Sequence, residues 1–394
     1  MPNIPSKACV GLLAVLIGLN LRPIMASIGP LLDMLQLDLG LTNTQGGLLT
    51  TLPVMMMGLF ALSGPWLLRL VGEVKGVALG IALIAVSCAA RAYTSSAEAL
   101  ISTAALGGIG IAVIQSLMPA FLKRSYPQSA GMLMGLFTTG IMAGAALGAA
   151  TAAPSAATFG WQLALGFAAV PALFTLIVWL LAAGGSQPRH AGAKLPYRNM
   201  QAWLLLIFFG IGTGAYTLVL AWLPPFYIEL GWTATDAGYL LGALTVTEVV
   251  AGLLVSSLIQ RFPDRRKPLV LVIVLLIAGL ACLMVAPQQL AALATVCLGL
   301  GIGALFPLSL IVTLDRADSP TTAGALLAFV QGGGYLIAAS MPLIAGIVRD
   351  QLSSLHWAWG VMIIGAVVLL GLSTTVAKLP SGGLTDSRKS VDMT

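Results

Sequence analysis

The sequence Gly40-Leu-Thr-Asn-Thr-Gln-Gly-Gly47 recurs 191 residues later as Gly231-Trp-Thr-Ala-Thr-Asp-Ala-Gly238, and a long apolar run follows each copy. Other pairs stay in register at shifts of 192 or 193 residues, namely Leu68-Arg69 with Gln260-Arg261, Gly107–Gly110 with Gly299–Gly303, and Ala130-Gly131 with Ala323-Gly324. Four matches in register indicate that the chain contains two copies of one unit.

Each copy contains six apolar runs. A membrane-spanning helix needs about 20 mostly apolar residues, and runs of that kind predict twelve spans near 8–34, 44–70, 76–96, 98–120, 130–152, 160–183, 200–226, 236–260, 268–285, 288–313, 321–348 and 355–377. We therefore predict an all-α membrane protein with two six-helix domains. They cover 1–183 and 200–377, joined by a polar linker at 184–199 and followed by a tail at 378–394.

Composition excludes a soluble protein. Of the 394 residues 58% are hydrophobic and 8% are charged, with a mean hydropathy of +0.99. Soluble domains carry roughly 25% charged residues. Secreted, disordered and nucleic-acid-binding proteins are excluded on the same ground.

The basic residues predict the orientation in the membrane. With a cytoplasmic N-terminus, sixteen of the nineteen Lys and Arg residues lie on the cytoplasmic side, and only Arg91 and Arg349 lie outside. The positive-inside rule then places both termini, the linker and the tail in the cytoplasm. Arg91 is expected to be an interface anchor or an outer-vestibule charge.

Parallel repeats are typical of transporters whose two halves rock about a substrate at the membrane midplane. A channel is the first alternative, but the sequence has no repeated filter-like loop or charged ring. A membrane enzyme is the second, but no catalytic cluster lies at a helix end. With only two histidines, the sequence predicts no metal and no other cofactor.

Arg22 is the most informative side chain because it lies roughly 21 Å into the first span, past the middle of a core about 30 Å thick. Burying it there costs at least about 2.5–3.5 kcal/mol, so it should face a wet cavity or a partner. Its planar set of donors suits a small anion, and Pro23 loosens the local backbone. The alternative is an arginine that reaches the membrane interface.

Glu248 is the only acid deep in a span. It is predicted about 9 Å nearer the cytoplasm than Arg22, so a direct ion pair requires tilted helices or other span ends. A buried, unpaired carboxyl can carry a proton, which would offset the cost of importing an anion, about 2.3 kcal/mol per 100 mV. The alternative role is a hydrogen bond to a neighbouring helix.

Polar and aromatic residues of the other central spans could line the site. The candidates are Asn20, Gln115, Ser116, Thr138, Tyr216, Phe306, Gln331 and Tyr335. We predict that Asn20, Gln115, Tyr216, Gln331 and Tyr335 bind substrate with Arg22. Each could instead hold helices together, as lone polar residues in spans often do.

Glycines recur inside the predicted spans. Gly140, Gly144 and Gly148 are spaced by four, and Gly107–Gly110 superficially resembles a dinucleotide-binding loop. No strand precedes that run, so we predict close helix packing for both sets.

The loop after the second span resembles the signature of the major facilitator superfamily in part. Gly64, Arg69 and Lys75 fit that signature, but Leu68 stands where the family usually has Asp. The second copy, Gln260-Arg261-Phe-Pro-Asp-Arg-Arg-Lys267, keeps more of the charge. The resemblance implies a cytoplasmic gating role for Arg69, Lys75 and Arg261.

Several local runs narrow the resemblance to the cyanate/2-nitroimidazole transporter branch of that superfamily. They are Ile17–Pro23, Ser27–Leu32, Leu48–Pro53, Ala221–Phe226 and Arg261–Arg266. The resemblance implies a monomeric secondary transporter of the bacterial inner membrane that imports cyanate or a similar small monovalent anion, with protons. Export of 2-nitroimidazole-like compounds and a small-anion channel remain the alternatives.

Overall fold

The computed structural model describes residues 7–182, 195–317 and 320–376, with side chains in these ranges except at 7, 64–69, 260, 320 and 321. The described residues form helices and no strands. The helices are α1 (Lys7–Leu19), α2 (Pro23–Ala26), α3 (Ile28–Leu39), α4 (Asn43–Val71), α5 (Glu73–Arg91), α6 (Ala97–Ser125), α7 (Ala130–Phe159), α8 (Trp161–Gly166), α9 (Ala169–Ala182), α10 (Met200–Glu229), α11 (Ala234–Leu258), α12 (Arg266–Val285), α13 (Ala291–Leu314), α14 (Pro320–Leu352) and α15 (His356–Val376).

Twelve of these segments are long and apolar enough to cross a membrane, which confirms the predicted number of spans. Several predicted spans are shorter than those in the structure. The fifth, for example, extends over Pro127–Phe159 rather than 130–152. Most of the predicted linker and the whole tail after residue 377 lie outside the described residues. The domain boundaries therefore stay a prediction.

Two of the predicted spans, the first and the sixth, are interrupted. Pro23 indicated a loosened backbone in the first span, but no break was predicted in the sixth. The first span consists of α1, α2 and α3, and the sixth consists of α8 and α9. A proline inside a helix lacks the N–H that would bond the carbonyl four residues earlier, and its ring collides with that carbonyl. Pro23 stands four residues after Leu19, where α1 ends, and Pro171 stands four residues after Phe167, in the second break.

The repeated sequence forms the same turn twice. Gly40 and Gly231 have φ angles of 65° and 94°, a left-handed region that favours glycine. The Thr42 hydroxyl then accepts the Gln45 N–H at 3.1 Å while the Gln45 side chain accepts the Thr42 N–H at 3.0 Å, a reciprocal capping box. In the second copy the Thr233 hydroxyl accepts the Asp236 N–H at 3.1 Å.

Glycines allow the helices within each copy to approach closely, as predicted. A Cβ added at Gly108 would lie 2.4 Å from Pro53 Cα of α4, and a Cβ added at Gly110 would lie 2.6 Å from the Gly80 carbonyl oxygen of α5. In the second copy, Gly299 and Gly301 of α13 make equivalent approaches to α11 and α12. The prediction of close helix packing at these glycines is confirmed.

The described contacts between the halves extend from one face of the bundle to its middle, where Gly58 of α4 approaches the Gly332 carbonyl of α14. We call the face at the start of α1 and the end of α15 the terminal face, and the opposite face, with the turns at Gly40 and Gly231, the distal face. Near the distal face, Gly47 approaches the Pro342 carbonyl of α14, and Gly238 approaches the Ala149 carbonyl of α7. Towards the terminal face, a Cβ on Gly131, Gly135 or Gly324 would meet nothing within 4 Å among the described residues.

Candidate functional site

Arg22 lies at the break between α1 and α2, inside the bundle. It is the residue before the first turn of α2, and it is 5% exposed. Helix α2 packs mainly on α7 and also touches α4, α6 and α10. The break therefore places a guanidinium group among helices of both halves, so the arginine does not reach the membrane interface.

Few protein groups occupy the donors of Arg22. Its Nη1 lies 3.8 Å from the Met25 sulfur and 4.0 Å from the Met57 sulfur, and thioethers are weak acceptors. Its Nε is buried without a hydrogen-bond partner in the described part of the chain. Among the described residues it has no acid within the 4.0 Å ion-pair distance. This cation can therefore accept a small anionic ligand.

Tyr216 of α10 covers one face of the guanidinium. The Arg22 carbon lies 5.2 Å from the centre of the ring, within the range of a cation–π interaction. The Tyr216 hydroxyl is buried and has no hydrogen-bond partner among the described side chains and backbone groups. Because α10 belongs to the second half, this contact joins the two halves at Arg22.

Glu248 of α11 supplies the opposite charge. It is 4% exposed, and neither carboxylate oxygen has a hydrogen-bond partner within the described ranges. It interacts electrostatically with Arg22 but makes no ion pair with it within 4.0 Å. The bundle thus buries one arginine and one carboxylate that attract each other without direct contact.

Aromatic rings complete this region. Tyr335 of α14 is buried near Arg22 and packs edge-on against Phe209 with centroids 5.3 Å apart. Phe306 of α13 lies 5.5 Å from the same Phe209 ring. We call Arg22, Tyr216, Glu248 and Tyr335 the central group. Three of the four come from the predicted site, and Glu248 is the predicted proton carrier.

The other predicted lining residues have different surroundings. The amide nitrogen of Asn20 donates to the Leu16 carbonyl at 2.7 Å and to the Thr175 hydroxyl of α9 at 2.9 Å. Gln115 and Gln331 are half-buried. Thr138 is exposed and bonds to carbonyls of its own helix. Asn20 therefore joins two helices of the first half.

The predicted gating residues lie at the terminal face. Lys75 and Arg261 are exposed, and the side chain of Arg69 lies outside the described part of the structure. In the second copy, the basic residue that makes polar contacts at this face is Arg265 rather than Arg261. It pairs with Asp315 at 3.0 Å and donates to the carbonyls of Ile259 and Phe262 at 2.7 Å. This role of Arg265 was not among the predictions from the sequence.

The expectation for Arg91 is wrong. Its side chain is 1% exposed rather than at an interface or in a vestibule. It donates to the Ile24 carbonyl of α2 at 2.8 Å and to the Thr103 hydroxyl of α6 at 3.1 Å. The small polar residues Ser87, in the same span as Arg91, and Thr103, in the next span, were the available signal, because they place polar groups beside it.

Polar contacts join the halves at the distal face. The Asp350 carboxylate of α14 accepts the backbone N–H groups of Asn43 and Thr44 at 3.0 and 2.9 Å, at the start of α4. Arg349 pairs with Glu229 at 2.6 Å and with Asp33 at 3.8 Å. We call these six residues the distal cluster.

The sequence model of the Major Facilitator Superfamily matches residues 10–339 and 229–389. The chain belongs to this superfamily. It is 37% identical to the cyanate transport protein CynX of Escherichia coli over 376 residues, which are 94% of this chain and 98% of that protein. It is 32% identical to a 2-nitroimidazole transporter of the same organism, covering 90% and 91% of the two chains.

Solved structures share the fold. The D-xylose–proton symporter matches with a TM-score of 0.72 and 15% identity over 93% of this chain and 97% of that one. A bacterial homologue of the human lysosomal transporter Spinster matches with a TM-score of 0.71 and 16% identity over 94% and 96%. This superfamily member is a multi-pass transporter of the bacterial inner membrane and not an enzyme.

Proposed function

We propose that this transporter imports cyanate or another small monovalent anion together with a proton, and that Arg22 binds the anion. The observation that carries the proposal is the buried guanidinium group of Arg22, which has no acid within ion-pair distance among the described residues. A buried ionisable group inside a membrane bundle marks a functional site by default. The similarity to a cyanate transport protein supports the choice of anion.

In this proposal the anion replaces the weak sulfur contacts of Arg22 with charge-assisted hydrogen bonds, which are stronger. Tyr216 keeps the guanidinium plane in place, and Tyr335, Gln115 and Gln331 line the site. We leave Asn20 out of the binding set because its amide nitrogen is bonded to two protein acceptors.

Glu248 couples the proton to the anion. Without substrate, its carboxylate balances the charge of Arg22 through the electrostatic interaction between them. When the anion neutralises Arg22, Glu248 loses that attraction and takes up a proton. One proton per monovalent anion makes the step electrically neutral, which removes a cost of about 2.3 kcal/mol per 100 mV.

Alternating access would proceed by rocking of the two parallel repeats about the central group. In this structure the halves are in contact at the distal face, an arrangement that we call distally closed. If the terminal face is cytoplasmic, as the basic residues predict, the distally closed arrangement is open towards the cytoplasm. Arg69, Lys75 and Arg261 stay proposals for the gate at that face.

The test is uptake of labelled cyanate into proteoliposomes, with and without an inward proton gradient. We expect saturable, gradient-driven uptake by the wild type and a loss of at least about tenfold in Arg22→Gln. Arg22→Lys, which keeps the charge, should retain more uptake. Glu248→Gln should still exchange cyanate across the membrane but should no longer accumulate it. Uptake that does not depend on Arg22, or that never saturates, would contradict the proposal.

Export of a flat 2-nitroimidazole-like compound is the second candidate. Several aromatic residues lie in the region of Arg22, including Tyr216, Tyr335 and Phe209. Aromatic rings of this kind favour a stacked heterocycle as the substrate. In that case Arg22→Gln should change transport little. A heterocycle effluxed by wild type and Arg22→Gln alike, with no cyanate uptake, would favour this candidate.

A further inference from the structure

Arg91 is a buried cation that the proposed transport mechanism does not use. It lies in the last turn of α5, is 1% exposed, and has no acid within 4.0 Å in the described part of the chain. Its Nη2 is buried without a hydrogen-bond partner among the residues that the structure describes. Burying an arginine without a counter-charge is costly, so its contacts must compensate for that cost.

Those contacts connect three elements. The Nη1 of Arg91 donates to the Ile24 carbonyl of α2 at 2.8 Å, and its Nε donates to the Thr103 hydroxyl of α6 at 3.1 Å. Ser87, one turn earlier in α5, donates to the Thr103 carbonyl at 2.7 Å. The rigid fork of a guanidinium group can bond two elements at once, which a lysine cannot do with the same geometry.

Helix α2 needs such an anchor because it has only four residues, Pro23–Ala26. Pro23 has no N–H to donate, and the backbone is interrupted on both sides of the helix. Within α2, the Arg22 carbonyl accepts the N–H groups of Met25 and Ala26 at 3.0 and 2.9 Å. The backbone of Arg22 therefore moves with α2, and the group that fixes Ile24 also fixes Arg22.

We propose that Arg91 is a positioning residue for substrate binding: by holding the Ile24 carbonyl it sets the position of Arg22 towards the anion. The inference rests on the proposed function for its substrate, but its geometric part can be tested without any substrate. Arg91 does not touch the anion and acts only through α2.

The first test compares Arg91→Met with Ser87→Ala, which removes a hydrogen bond of the same buried network that does not involve the backbone of α2. Hydrogen exchange of the purified full-length protein, followed on peptides covering residues 20–32, should be faster in Arg91→Met and unchanged in Ser87→Ala. Unchanged exchange in Arg91→Met, or equal acceleration throughout α5 and α6, would overturn the positioning role. This result does not depend on what the protein transports.

The second test uses labelled cyanate uptake per folded transporter. Misplacing a binding group should raise the KM of Arg91→Met about tenfold while Vmax changes less than about twofold. In an Arg22→Lys background the same substitution should cost much less, because both changes act on one interaction. Additive costs, or a fall in Vmax alone, would contradict the inference. If the wild type takes up no cyanate, the proposed function fails and the exchange experiment still decides the role of Arg91.

Discussion

At the scale of single residues, the contact between Arg22 and Tyr216 carries the first prediction. The guanidinium carbon lies 5.2 Å from the ring centre, and the Tyr216 hydroxyl has no hydrogen-bond partner among the residues described. A buried cation–π contact is worth about 1–2 kcal/mol. We therefore expect Tyr216→Leu to raise the KM for cyanate about five- to thirtyfold, measured as uptake into proteoliposomes.

Tyr216→Phe is the matched control, because it keeps the ring face and removes only the unpartnered hydroxyl. Its KM should stay within about twofold of the wild type. An equal increase in both variants would mean that the hydroxyl, rather than the ring, acts on the substrate.

Residues were predicted well where burial alone identified them. The depth of Arg22 and Glu248 in their spans indicated two buried charges, and both are buried. The partners of a side chain depend on helix rotation and tilt, which hydropathy does not report. For that reason Asn20, although two residues from Arg22, bonds to α9, and Arg91 points into the first half rather than outward.

At the scale of helices, α7 offers a comparison between crowded and open glycines. A Cβ on Gly144 would lie 2.3 Å from the Leu19 carbonyl oxygen, at the end of α1, whereas a Cβ on Gly135 would meet no described atom within 4 Å. We expect Gly144→Ala to cost about 1–3 kcal/mol through overpacking. Gly135→Ala should be neutral or stabilise by up to about 1 kcal/mol through its helix propensity.

Thermal unfolding of the two purified variants in detergent, followed by tryptophan fluorescence, measures this difference. The unfolding temperature of Gly144→Ala should fall and that of Gly135→Ala should not. Equal temperatures would show that α1 can move away from α7 without loss, and that the break after Leu19 does not depend on this contact.

The helices themselves could be predicted because the sequence contains twelve apolar runs of spanning length and a repeated turn sequence. The break after α1 could be suspected from Pro23. The break between α8 and α9 could not, because Pro119, Pro154 and Pro307 stand inside helices that remain continuous. Whether a proline interrupts a helix depends on the neighbouring helices that satisfy the freed carbonyl.

At the scale of the whole molecule, the two halves make the same close approach in both copies of the repeat. Gly47 meets α14 and Gly238 meets α7, both near the distal face. The repeat therefore predicted the pseudo-symmetry as well as the fold. It could not predict the distal cluster, because Asp350 and Asn43 are 307 residues apart and Asp350 has no repeat partner in the sequence matches.

The distal cluster predicts how the resting equilibrium between distally closed and distally open states can be shifted. Asp350 accepts four hydrogen bonds from Asn43 and Thr44, so a carboxylate of one half caps the start of a helix of the other. Losing a cap costs about 1 kcal/mol, or about fivefold in population. Asp350→Ala should therefore favour the distally open state.

Spin labels measure this shift as a distance distribution. With the native cysteines replaced, Tyr93→Cys and Val285→Cys place labels at two exposed distal positions, one in each half. Asp350→Ala should move population from shorter to longer distances. Asp264→Ala removes an acid that pairs locally with Arg266 and should leave the distribution unchanged. If Asp350→Ala does not alter the distances, the cap does not hold the halves together, and the glycine contacts at Gly47 and Gly238 suffice to close the distal face.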